Sequence, residues 1–245
     1  MFKASDKTAN SYFSATIFPK ILDIFPFSLV PIRGASRRCS LRPLIIFILG
    51  APGVGKGTLS GFLKASFPGL THLSYGDLVR YHDQIPGSWV SSLPRRQGTS
   101  SPLLPVHGAV RLLRETIETG AVQHGQMTWL VDGFPRREDH VAEWLKQMPQ
   151  ADRALYLFCP PEVSSNRIIR RARTSGRPDD VDPEKVWERV QRFHIECEPM
   201  LNALKNSGIE VVKIDAHRDL DAVKKEIFGC VQASLGCGMN REGDE

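Results

Sequence analysis

The stretch LIIFILGAPGVGKGT, residues 44–58, carries two signals in one line. Leu44–Leu49 is an unbroken apolar run, as a strand covered on both faces would be. Gly50, Gly53, Gly55 and Gly57 then open a turn, and a helical pattern follows to about Phe67. Glycines let successive backbone N–H groups curl around phosphate oxygens. A helix starting there points its positive end at them. Lys56 adds a full positive charge. Strand before and helix after is the context that a G-x-x-x-x-G-K phosphate loop requires. A glycine-rich turn with an incidental lysine is the competing reading, and this context counts against it.

Outward from that loop the chain alternates. Short strands are predicted at Thr71–Ser74, Thr128–Val131, Ala154–Cys159 and Glu210–Ile214. Helices are predicted at Gly76–His82, Val106–Thr119 with a stop at Gly120, Glu138–Gln147, Glu162–Ala172, Pro183–Lys205 and Asp219–Ala233. Residues 85–104 are rich in Pro, Ser and Gly and read as a loop or a poor helix. The expectation is an α/β fold in three layers: a five-stranded parallel sheet with helices on both faces. In such sheets ligands sit at the carboxyl ends of the strands. The turns to read are therefore those after Leu49, Ser74, Val131 and Cys159.

The 245 residues suffice for one buried domain, and no apolar run is long enough to span a membrane. The net charge of +5 sits in residues 1–43, which hold seven basic residues against two acidic ones. The rest is neutral, so a nucleic-acid partner is not expected. The basic, serine-bearing extension reads either as a tail on a cytoplasmic protein, or beyond a wrongly chosen start, or as an organelle-targeting segment. Mitochondria are then the alternative compartment. Residues 44–233 form the predicted domain and 234–245 a disordered tail. Five cysteines, with no C-x-x-C, speak against a disulfide framework or a structural zinc.

The residue after Lys56 is Gly57, where most phosphate loops place Ser or Thr, and Thr58 follows. The pattern G-x-P-G-x-G-K-G-T resembles the nucleoside monophosphate kinase family, the adenylate and UMP/CMP kinases. The resemblance covers roughly residues 44–233. His72-Leu73-Ser74-Tyr75-Gly76-Asp77-Leu78-Val79-Arg80 is similar to the family's acceptor motif, and Asp132-Gly133-Phe134-Pro135-Arg136 to its D-G-F-P-R motif. Arg167 to Arg171, then Thr174 to Asp180, resembles a short lid at about 171–182, without the zinc cysteines of longer lids.

The resemblance implies roles. ATP would lie on Gly53, Val54, Gly55, Lys56, Gly57, Thr58 and Arg167. Lys56, Arg136, Arg171, Arg177 and Arg189 would serve the transfer, although one extra residue precedes Arg189. The acceptor would meet Tyr75, Arg80, Gly133, Arg136, His140, Arg177 and Arg189 on an arm at about 74–105. Asp132 would hold Mg²⁺ through water. A monomer is expected. Physics supports such a set, since phosphoryl transfer asks mainly for position and positive charge, and guanidinium forks bind phosphate oxygens in pairs. Arg167, Arg170 and Arg171 also share one helical face, and alone they would read as a solvated basic face. Asp179 and Asp180 either pair with the lid arginines or solubilise the loop.

The sequence departs from the family around the acceptor base. Tyr75 stands where a small residue is usual, so its ring would stack on the base or fill the pocket. His140 stands where Gln or Asn is usual, and reads as a base contact or an exposed helix-start residue. Pro86, Gly87, Pro94 and Gly98 predict an irregular arm. Two alternatives stay open: a phosphate-loop kinase of another small acceptor, and an ATP-binding sensor without turnover.

Overall fold

The structure, a computed structural model, describes residues 42–95, 102–175 and 180–239. Five parallel strands form its centre: β1 (Leu44–Gly50), β2 (Leu70–Ser74), β3 (Thr128–Asp132), β4 (Arg153–Phe158) and β5 (Val211–Asp215). Their order is β2-β3-β1-β4-β5. The helices of the described residues are α1 (Lys56–Ser66), α2 (Tyr75–Gln84), α3 (Val106–His124), α4 (Glu138–Gln147), α5 (Pro161–Ser175), α6 (Pro183–Asn206) and α7 (Leu220–Met239). This is the predicted α/β arrangement.

β1 shows why its apolar run is continuous. Side chains alternate across a strand. Ile45, Phe47 and Leu49 enter one core with Leu113 of α3, Trp144 of α4 and Met200 of α6. Ile46 and Ile48 enter another, closed by Leu59 and Leu63 of α1 and by Val223, Ile227 and Val231 of α7. Each such fully buried side chain contributes roughly 1.5–3 kcal/mol. A third, smaller cluster joins Ala51 of the phosphate loop to Ile168 of α5 and Val186 and Val190 of α6.

The predicted stop at Gly120 is corrected: α3 continues to His124. Gly120 is there for packing. A Cβ on it would lie 2.6 Å from two indole carbons of Trp129. The helix ends at Gly125, in the left-handed region at φ +64°, where its N–H donates to Ala121 O and that of Gln126 to Gly120 O. The predicted tail is corrected too. α7 runs past Ala233 to Met239, because no proline interrupts it, Ser234 donates to Cys230 O, and Leu235 packs on the second core. Residues 1–41 and 240–245 lie outside the described residues.

In the arm, residues 85–95 form linked turns rather than a helix. Backbone N–H groups of Ser88, Ser91 and Leu93 each donate to the carbonyl three residues earlier. Fully buried Val90 anchors them, and Trp89 lies against Gly108 of α3. No described helix is long and apolar enough to cross a membrane.

The register positions the site. Asp132 at the end of β3 is paired with Ile48 of β1 and with Ser74 of β2. Leu49, Gly133 and Tyr75 therefore follow in one row at the carboxyl edge of the sheet, and the phosphate loop opens one residue later at Gly50.

Candidate active site

The phosphate loop fits closely between β1 and α5. Gly53 has φ +83°, and a Cβ there would sit 2.3 Å from Ser164 O and 2.7 Å from Ile168 Cγ1. Only glycine meets both conditions. Gly55, at φ 111°, precedes α1, while Gly57 and Thr58 are exposed in its first turn. Val54 turns its side chain into the core, so only its backbone faces the loop. Lys56 Nζ donates to Gly50 O at 2.6 Å and Ala51 O at 3.1 Å. Burial lowers its pKa to about 8. The Asp132 carboxylate partly opposes this, and the Arg136 and Arg171 guanidiniums reinforce it. These four groups share one electrostatic neighbourhood.

Asp132 is met by His72 Nε2 at 3.4 Å. Beyond it, Arg136 Nε–H donates to Gly133 O at 2.9 Å. Arg80 pairs with Asp77, and Ser74 caps α2 by accepting from Asp77 N–H. A Cβ on Gly76 would lie 3.4 Å from one Arg80 nitrogen and 3.8 Å from one of Arg136. The two arginines thus converge over Gly76. The sequence reading passed over that glycine and His72, although both stand inside the quoted acceptor motif.

The rings lie beneath. Tyr75 is 5% exposed, packs on Phe134 at 5.6 Å between centroids, and has the Arg136 guanidinium 4.8 Å above it. The Tyr75 ring thus belongs to the first core. His140 is buried, which corrects the exposed reading. Its ring stacks on Phe134 at 5.0 Å, and its Nδ1 accepts the Arg136 backbone N–H at 3.2 Å.

On the other side, Asp180 gathers arginines from two helices. Arg171 of α5 donates to its Oδ2 at 3.2 and 2.7 Å, and Arg189 of α6 to its Oδ1 at 3.3 Å. The Asp180 side chain is 1% exposed. It therefore pairs with the lid arginines rather than solubilising the loop. Arg167 donates to Val54 O and to Ala216 O, both at 3.1 Å, and so ties the phosphate loop to the turn after β5. Arg170, on the same helix, is exposed. Arg177 and Asp179 lie outside the described residues.

A family profile for the AAA domain matches residues 49–186. UMP-CMP kinase of Rattus norvegicus is 35% identical over 195 residues, which cover 78% of this chain and 96% of the rat protein. UMP-CMP kinase of Homo sapiens is 35% identical over 191 residues, 76% of this chain and 96% of the human one. The chain belongs to the nucleoside monophosphate kinase family. UMP-CMP kinase of Xenopus laevis matches over 196 residues at 34% identity, 98% of its length. This nucleoside monophosphate kinase is accordingly a phosphotransferase that uses nucleotides.

The buried His140 gives the kinase a pH signature. Burial pulls its pKa from 6.5 to about 4; Asp139 opposes that, while Arg137 and Arg136 add to it. The folded value lies below the unfolded one, so the unfolded chain takes up the proton first. This contribution is fully present above about pH 6.5 and is lost as pH falls toward 4. Urea unfolding of the wild type should lose about 2 kcal/mol from this group between pH 7 and pH 5. His140→Phe should lose less over the same interval. Equal losses in both proteins would show that His140 titrates normally.

Proposed function

We propose that this enzyme transfers the γ-phosphate of ATP to a nucleoside monophosphate, ATP + NMP = ADP + NDP, with UMP and CMP preferred over AMP. The observation that carries the reading is the convergence of Lys56, Asp132, Arg136 and Arg171 at the carboxyl edge of the sheet. An oxygen of the acceptor phosphate attacks the γ-phosphorus, and its bond to the β–γ bridging oxygen breaks, leaving ADP. Two polyanions must approach each other, and the site is built from cations. Lys56 and the loop N–H groups would hold the ATP phosphates, with Arg167 beside the nucleotide. Arg80 and Arg136 would grip the acceptor. Arg171 and Arg189, preset by Asp180, and Arg177 would neutralise the group in flight. The relatives' names support the pyrimidine preference.

Magnesium fits the donors present. Among the described residues no group of three or more His, Cys, Asp or Glu could hold a metal ion. Mg²⁺ in kinases needs only one or two carboxylates, with phosphates and waters as its other ligands. Asp132, steadied by His72, supplies that carboxylate. Held through water by Asp132, the ion would supply positive charge against the polyphosphate. A monomer in the cytoplasm completes the reading.

The test is a coupled assay of ADP release with Mg-ATP and, in turn, CMP, UMP, AMP, GMP and their deoxy forms. Turnover that depends on the acceptor, fastest with CMP or UMP, is expected. ATP binding without such turnover would favour the sensor reading. A non-nucleotide acceptor that outpaces all of these would favour the other kinase class.

A further inference from the structure

Among the contacts that Arg136 makes, three come from different pieces of the chain. Its backbone N–H donates to His140 Nδ1 at 3.2 Å, from α4. Its Nε–H donates to Gly133 O at 2.9 Å, from the turn after β3. Its guanidinium stands 4.8 Å above the Tyr75 ring, at the start of α2. Tyr75 and His140 both pack on Phe134, which is itself fully buried. Trp144 and Phe47 close the cluster from below.

We propose that Tyr75 and His140 are positioning residues that hold Arg136 for the acceptor's phosphate, and that neither reads the acceptor's base. The proposal rests on the kinase reading above and deepens it. A ring that is 5% exposed, with Phe134 beside it and a guanidinium over it, has little surface left for a base. A guanidinium over an aromatic face is held by the ring's quadrupole. Together with the Nε–H bond to Gly133 O, that contact sets the plane of the Arg136 fork. His140 does the complementary work on the backbone. An imidazole that accepts through Nδ1 carries its proton on Nε2, and the nearly parallel stack on Phe134, 13° between planes, fixes the ring. Side chain and main chain of Arg136 are thus both located before substrate arrives. Because every acceptor brings the same phosphate, losing either support should cost all bases alike.

The test uses the full chain with Tyr75→Phe, Tyr75→Leu and His140→Phe, each checked for folding by near-UV circular dichroism. kcat and KM are measured with CMP, UMP, AMP and GMP, and the four monophosphates are also titrated by calorimetry. Tyr75→Phe keeps the aromatic face under the guanidinium and should retain clearly more kcat/KM than Tyr75→Leu. Tyr75→Leu and His140→Phe should each lose about tenfold in kcat/KM, by the same factor for every base within about threefold. A base-dependent loss, with the preference shifting tenfold or more, would overturn the proposal and make these residues base readers. Unchanged kinetics and binding in both variants would overturn it as well, leaving them core filling only. If the wild type turns over none of the four, the kinase reading fails, and calorimetry still decides the positioning. Uniform weakening of all four then supports it, and unchanged or base-selective binding overturns it.

Discussion

Lys56→Met should lower acceptor-dependent ADP release by on the order of a thousandfold, with the fold intact. Lys56 commits two of its three protons to the loop's own carbonyls, Gly50 O and Ala51 O. The side chain is therefore already held in the loop, and on the proposed reading its charge would meet that of the ATP phosphates. Its pKa of about 8, set first by burial, adds a second and independent readout. Bound phosphates favour the charged form and raise that value again. Below pH 8 the lysine is already protonated, and binding moves little. Above pH 8 ATP must bring a proton with it. Calorimetry at pH 8.5, in two buffers of different ionisation heat, should show net proton uptake on ATP binding to the wild type. Lys56→Met should show less. Identical uptake in both would mean that another group titrates, and an active variant would remove Lys56 from the chemistry.

Gly53→Ala should destabilise the protein by about 3 kcal/mol and weaken ATP binding at least tenfold. Two costs combine. The backbone is at φ +83°, where a Cβ is strained, and that Cβ would meet Ser164 O at 2.3 Å and Ile168 at 2.7 Å. The carbonyl belongs to α5 and cannot rotate away as a side-chain tip could. Either α5 or the loop must move, and both carry the site: α5 brings Arg167 and Arg171, the loop brings Lys56. Gly57→Ala is the control for stability, since a Cβ there meets nothing within 4 Å. Its denaturation midpoint should match the wild type. A Gly53→Ala protein with an unchanged midpoint and unchanged ATP affinity would show that α5 yields without cost.

Much of this was legible because it is local. The buried strand and phosphate loop of residues 44–58 can be read from neighbours in sequence, and the strand alternation gives the layers. What was not legible depends on distant partners. Nothing near Gly120 says that Trp129 will lie across it. His140 looks exposed from its own segment, Arg137 to Asp139 being charged, and only Phe134 and the Arg136 N–H explain its burial. Asp180 and Asp179 are indistinguishable by type. One becomes a buried clamp because Arg171 and Arg189 arrive from two helices on either side of it. The end of α7 was misplaced because Gly236 and Gly238 weaken the helical pattern while packing on the second core sustains it.

The division of β1 between two cores has a consequence for how the protein comes into being. Its Ile46 and Ile48 face needs α7, the last described element, for its cover. Arg167 likewise ties the phosphate loop to Ala216, beyond β5. A chain emerging from the ribosome therefore exposes the phosphate loop early and closes the second core only when α7 is released. Until then the central strand keeps one apolar side wet, and the two-sided burial of β1 waits on α7.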